Sequence, residues 1–333
     1  MEYGPSRIGF VWPSAGNCAP LLIKTMRLLL CPLLVLLAVI QGLGEEQAWR
    51  ELPVDEPGLH GRLFYFEGRP RPTFLVLGGS EGGLEGSRNL AARLADLGCN
   101  AFSLAYFGTP ETPPALIRIP LEGFCQGLDW LERQPFATTG ALGVAGGSKG
   151  AEAALLVAGL RPELRVAVAF LPTHVVWQGI DEVHDTVASS WTWQGQELPF
   201  VPYIRHDAAS LAMNYGWETV RDLHLASLAA AKPDVVQRAL IPVDNTRAAL
   251  LLFSGENDQV WPSTMSGKDL EKRGREASRP VVVRHFKYPS AGHSLFDGTI
   301  DGGGDAQANR EAQADAIREM KAFLKEYLSG EAR

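Results

Sequence analysis

The stretch VAGGSKGAEAALLVAGL, Val144–Leu160, sets a serine among glycines, with an apolar run before it and an alanine-rich run after it. Gly146-Gly147-Ser148-Lys149-Gly150 fits the pattern G-x-S-x-G. In that pattern a strand turns into a helix too sharply for side chains on the flanks, and the serine is held at the apex with its Oγ exposed. In a chain with 35 Gly the pattern alone says little, and its setting between an apolar strand and a helix gives it weight. A serine hydroxyl is a poor nucleophile without a base in reach. The rest of the chain must therefore supply a base, an acid and oxyanion donors.

Outward from Ser148 the chain alternates short apolar runs with amphipathic ones. Leu59–Phe66, Thr73–Leu77, Asn100–Phe107, Ala141–Gly146, Arg165–Leu171, Ala248–Ser254 and Pro280–Tyr288 read as strands. Helices are expected after Ser87, with Leu90, Leu94 and Leu97 on one face and Gly98 as the cap. Others are expected from Pro120, with Leu121, Phe124, Leu128 and Leu131 in step, from about Lys149, and from Ala306 to Leu328. The last should bury Ile317, Met320, Leu324 and Tyr327. Such alternation predicts an α/β fold, a mostly parallel sheet with helices on both faces.

One interval breaks the rhythm. Leu171 to Ala248 is far longer than a crossover requires and is rich in aromatics: Trp177, Trp191, Trp193, Phe200, Tyr203, Tyr215 and Trp217. It reads as a cap-like insertion, about 172–247, over the carboxyl ends of the strands. Trp177, Trp191, Trp193 and, from a later loop, Trp261 are candidates for an apolar substrate pocket. Ser189–Tyr203 shows neither helical nor strand period.

His293, in YPSAGHSLF just after the last strand, is the candidate base, because that position brings it to the carboxyl edge of the sheet. His174 is its competitor, following the Arg165–Leu171 strand. His285 lies within a strand and reads as structural, and His60, His184, His206 and His224 have no positional argument. An acid is needed to fix the imidazole tautomer. Asp258 in LLFSGENDQVWPS is the choice, with Glu256 as the alternative. Oxyanion donors are expected from the backbone N–H of Lys149 and from the loop GGSEGG, where Ser80 is preferred and Glu81 second. That loop lacks the Lys-Ser/Thr ending of a phosphate loop, and no G-x-G-x-x-G fits it. The order Ser148, Asp258, His293 is that of the α/β-hydrolases. DGGGD, Asp301–Asp305, reads as a flexible connector.

The 333 residues are 46% hydrophobic and 21% charged with net charge −7, a composition of globular proteins that gives no footprint for nucleic acid. Lys24 and Arg27 precede the apolar run Leu28–Ile40, which reads as a signal peptide too short to span a bilayer. Residues 1–44 are then a leader, with the true start at Met26, a mature chain from Glu45, a single domain over 45–333 and no membrane span after cleavage. The protein would be exported, or cytoplasmic if that stretch is no signal. Cys18 and Cys31 lie in the leader; nothing in the spacing of Cys99 and Cys125 demands a disulfide. No Cys-x-x-Cys or His/Cys cluster points to a metal, and no cofactor is required.

The segments GGSEGGLEGSRNLAARLADLG, LAYFGTPETPPALIRIPLEGFCQGLDWLERQP, GGSKGAEAALLVA and IPVDNTRAALLLFSGENDQVWPS together resemble the C-terminal domain of acyl-CoA thioester hydrolases and bile acid-CoA:amino acid N-acyltransferases. The similarity runs from about Thr73 to Leu328. It implies an α/β-hydrolase acting on acyl thioesters, with nucleophile, acid and base at Ser148, Asp258 and His293. Two departures matter. Eukaryotic members carry an N-terminal β-sandwich domain, for which Glu45–Pro72 is too short. The acyltransferase branch has Cys where this chain has Ser148, and a serine acyl-enzyme suits transfer to water. Hydrolysis of a small acyl ester or thioester is therefore expected. An N-acyltransferase, a carboxylesterase or lactone hydrolase, a peptidase and a catalytically silent binding protein are the rivals. An exported enzyme would rarely meet CoA, so either the substrate has another carrier or the leader is not a signal.

Overall fold

Period-two burial fixes the central sheet. In the strand Arg71–Leu77 (β3), Leu75 and Leu77 face one apolar layer, while Phe74 and Val76 face the other. Ala249–Gly255 (β10) repeats the pattern, with Leu250 and Leu252 on the first side and Leu251 and Phe253 on the second. Strands buried on both faces belong to a sheet covered by helices twice over.

The computed structural model describes residues 48–181, 184, 186–205, 216, 218–295 and 302–328. All but Ala48 fall in one compact unit, Trp49–Arg333. The expected leader, the start at Glu45, and His206, Tyr215, Trp217 and Asp301 lie outside the described residues.

The main sheet has eight strands: Arg50–Glu56 (β1), Leu59–Tyr65 (β2), β3, Asn100–Ala105 (β4), Ala137–Gly147 (β6), Val166–Phe170 (β7), β10 and Val283–Tyr288 (β11). Their order is β1-β2-β4-β3-β6-β7-β10-β11. β1, β2 and β4 pair antiparallel, and every other neighbouring pair is parallel. Leu121–Glu132 (α2), Lys149–Leu160 (α3) and Ser263–Glu276 (α6) pack on the Leu75 side. Glu85–Asp96 (α1) and Ala306–Leu328 (α7) pack on the Phe74 side. Gly98 ends α1 at φ 88°, as a C-cap should. α7 buries Ala312, Ala316, Met320, Phe323, Leu324 and Leu328, so its inner stripe is displaced from the expected one, and Ile317 and Tyr327 are only half-buried.

Within the long interval, Trp191–Trp193 (β8) and Gln196–Glu197 (β9) form a small hairpin that extends Ile119–Pro120 (β5) into a second sheet. Strands of two and three residues are too short to show a period. Glu218–Ala230 (α4) and Pro233–Ala239 (α5) complete it. No helix among the described residues is long and apolar enough to cross a membrane. Cys99 is buried, Cys125 is half-buried, and neither forms a disulfide.

Candidate active site

Ser148 links β6 to α3 at φ 53° and ψ −121°. The flanking glycines explain the turn. A Cβ on Gly146 would strike the carbonyl oxygen of Gly150, and one on Gly150 would strike those of Leu77 and Gly78. These are backbone atoms that cannot step aside. The Ser148 N–H donates to Phe170 O of β7 at 3.0 Å, which ties the turn to the next strand.

Parallel strands bring their carboxyl ends to one edge. Asp258 follows β10, and His293 opens a short 3-10 turn, His293–Leu295, after β11. His293 Nε2 lies 3.0 Å from Ser148 Oγ, and Nδ1 lies 3.0 Å from both Asp258 oxygens. With Nδ1–H donated to the carboxylate, Nε2 is left to accept the serine proton. Both side chains are buried. Asp258 Oδ1 also accepts the backbone N–H of Val260 at 2.9 Å and of Trp261 at 3.2 Å, which fixes the plane of the carboxylate.

The alternatives are engaged elsewhere. Glu256 is exposed. His174 Nδ1 pairs with Ser266 Oγ at 2.9 Å, and His285 Nε2 with Ser254 Oγ at 2.7 Å. His60 faces Asp55, and His184 faces Asp181.

Lys149 is the first residue of α3, where backbone N–H groups lack helical partners and the helix dipole favours negative charge. Across from it, Gly79 is the residue of the β3 loop that packs against Ser148; a Cβ there would sit 3.3 Å from the serine Cβ. Ser80 follows it and is exposed. The Gly79 N–H donates to Glu81 Oε1 at 2.9 Å, and the Tyr106 hydroxyl donates to Gly78 O at 2.6 Å.

The described part of DGGGD, Gly302–Asp305, is not a loose connector. Gly302 O accepts both Gln259 N–H, at 2.9 Å, and His293 N–H, at 3.0 Å. Gly303 and Gly304 take φ 93° and 73°, conformations that side chains rarely adopt. Asn309 Oδ1 accepts Gly292 N–H at 2.8 Å, and Asn309 Nδ2 donates to Gly303 O at 3.1 Å. The glycines let this segment lie flat against the loops of Asp258 and His293. A glycine-rich run reads as flexible in sequence because its packing partners are remote.

Trp191 lies in the main core against Tyr106 and Phe124. Trp177 and Trp261 share a smaller cluster with Val175, Val201 and Ala239, and Trp193 is half-buried against the main core. Trp261 approaches the proposed base, its ring 6.0 Å from that of His293. His224 stands edge-on to Trp177, Tyr203 and Trp261, and burial lowers its pKa to about 4.

The sequence reading also passed over Glu152. Lys149 Nζ and Glu152 Oε2 form a fully buried ion pair at 2.8 Å. Burial pushes the lysine pKa down and the glutamate pKa up. A lone acid in the apolar run AEAALLVA was the signal available. Among the described residues no group of three or more His, Cys, Asp or Glu is placed to hold a metal ion.

Sheet order, crossover helices and the serine turn define an α/β-hydrolase fold. Solved structures agree: carboxyl esterase 2 of Tuber melanosporum superposes with TM-score 0.54 at 17% identity, covering 86% of this chain and 88% of the other. A dienelactone hydrolase-like phosphotriesterase from metagenomic libraries gives TM-score 0.51 at 18% identity, covering 85% and 100%. The chain belongs to the family described as BAAT / acyl-CoA thioester hydrolase C terminal, which it matches over residues 119–330. Similar curated proteins include acyl-coenzyme A thioesterase 5 of Mus musculus, 29% identical over 85% of this chain and 67% of that protein. Acyl-coenzyme A thioesterase 1 of Rattus norvegicus is 26% identical over 85% and 66%. The chain thus spans about two thirds of the length of these relatives.

Proposed function

We propose that the protein is a serine hydrolase that cleaves acyl thioesters or esters through an acyl-enzyme on Ser148. The supporting observation is the continuous run of hydrogen bonds from Asp258 through His293 to the Ser148 hydroxyl. In the first step Ser148 Oγ attacks the acyl carbonyl as His293 Nε2 takes its proton, and Asp258 holds the resulting imidazolium. The tetrahedral oxyanion is received by the backbone N–H of Lys149 and by the β3 loop, with Ser80 as the second donor. His293 returns the proton to the leaving thiol or alcohol. It then activates the water that releases the acid.

Family membership supports a thioester substrate, and the serine supports water as the acceptor. With short p-nitrophenyl esters and acyl-CoA as substrates, Ser148→Ala should lower kcat by about 10⁴-fold or more while the fold is kept. It should also abolish labelling by a fluorophosphonate probe. Retained turnover in that variant refutes the nucleophile. Adding glycine or taurine to the acyl-CoA assay should yield no amide; an amide product would make the protein an acyltransferase. Comparing acyl-CoA with simple esters across chain lengths identifies the carrier.

A further inference from the structure

Glu152 is an acid in a helix whose other buried residues, Lys149 apart, are apolar or small. It is fully buried, between Ala151 and Ala153. Its carboxylate accepts three hydrogen bonds. Oε2 takes one from Lys149 Nζ at 2.8 Å. Oε1 takes one from the Trp191 indole N–H at 2.7 Å and one from the Trp177 backbone N–H at 3.1 Å. Replacing a buried ion pair by packed apolar groups is often neutral or stabilising, so stability alone does not account for this one.

The three donors lead to three sides of the site. Lys149 follows Ser148 and carries the first proposed oxyanion donor on its backbone. Trp191 packs on Tyr106 with ring centroids 5.9 Å apart, and the Tyr106 hydroxyl holds Gly78 O, where the β3 loop begins. Trp177 shares its cluster with Trp261. The backbone N–H of Trp261 binds Asp258, and its ring lies against His293. One carboxylate is thus linked, through Lys149, Trp191 and Trp177, to the serine turn, the oxyanion loop and the Asp258–His293 pair.

We propose that Glu152 is a positioning residue, whose carboxylate keeps the oxyanion loop and the Asp258–His293 pair in register around Ser148. The proposal rests on the hydrolase reading above. Displacements of about 1 Å around a reacting centre cost on the order of 100-fold in rate. Oxyanion donors act only in the transition state, so their misplacement lowers kcat and leaves KM alone.

The test measures kcat per active site, with sites counted by fluorophosphonate titration, together with KM and melting temperature. Trp191→Phe removes one donor to Glu152 and keeps a ring in the core. Glu152→Gln keeps the shape and strands the Lys149 ammonium. Leu94→Ala, buried in α1 on the far face of the sheet, is the control for lost stability. Trp191→Phe should lower kcat per titrated site about tenfold with KM within about twofold, and Glu152→Gln should lower it further. Leu94→Ala should melt earlier with wild-type kcat per site. If Trp191→Phe and Glu152→Gln also melt earlier with wild-type kcat per site, Glu152 is merely structural and the proposal is overturned. A wild-type chain that neither labels nor turns over sinks the hydrolase reading itself, and this proposal with it.

Discussion

Ser148 holds a positive φ that a non-glycine residue seldom takes, at a cost on the order of 1–3 kcal/mol. The turn is kept because Gly146 and Gly150 leave room for no other path and Phe170 O captures the serine N–H. At this scale the acid offers the clearest test. Asp258→Asn keeps the size of the group but loses the carboxylate that fixes the imidazole tautomer. It should lower kcat by about 10⁴-fold while circular dichroism and melting change little; Glu256→Gln, on an exposed side chain, should leave kcat unchanged. That Ser148, His293 and an acid from the loop after β10 would meet could be read from the sequence, because each follows an apolar strand and their order is that of a known arrangement. The choice between Asp258 and Glu256 could not, since it turns on which carboxylate a loop tucks inward. Glu152 was hidden for a similar reason. Its partners Trp177 and Trp191 are distant in the chain, so the one local sign, an acid in an apolar run, does not say what it binds.

Among the elements, the central strands were legible as short apolar runs, α1, α2 and α7 because their apolar spacing is set by one covered face, and α3, buried at every position from Lys149 to Ala158, as an alanine-rich run after the serine. β1 was not. RELPVDE buries only Val54, so a strand on the rim leaves no alternation to see. α6 was missed for the opposite reason. It buries small residues, Ser263, Ser266, Gly267 and Gly274, and Leu270 is its one large apolar anchor. Gly267 lies against the His285 ring and Gly274 against Val283, contacts a hydropathy pattern does not register. The segment after His293 provides a test at this level. A Cβ on Gly303 would strike the carbonyl oxygen of Asn257, next to Asp258, at a torsion that disfavours alanine. Gly303→Ala should therefore lower kcat by about 100-fold with a smaller loss in the extent of folding, read by activity against far-ultraviolet circular dichroism. Unchanged kcat would remove this segment from the machinery.

Across the whole molecule, acid tolerance is set in part by buried imidazoles: among the described residues burial lowers the pKa of His174, His224 and His285. Burial lowers the pKa of both His224 and His285 to about 4. In the unfolded chain each returns to about 6.5. Between those values the unfolded state binds more protons, so stability rises with pH across that window. The contribution is complete above about pH 6.5 and is lost as pH falls toward 4. The denaturant midpoint should thus drop from pH 7 to pH 5. In His224→Phe, which keeps an aromatic ring among Trp177, Tyr203 and Trp261, that drop should be smaller; an equal drop would remove His224 as a source of the acid lability. No such coupling is visible in the sequence, where His224 has no argument for or against it.

Gly302 offers a last consequence. Its single carbonyl oxygen anchors the chain at Gln259 and at His293, one residue from the proposed acid and on the proposed base itself. Acid and imidazole therefore travel as one body, mounted on the last strands, while the hydroxyl rides on a different part of the sheet. Breathing of the scaffold changes the gap between imidazole and hydroxyl before it changes the gap between imidazole and carboxylate. Warming should disconnect the serine first, so heat would silence the enzyme while leaving its acid–base couple assembled.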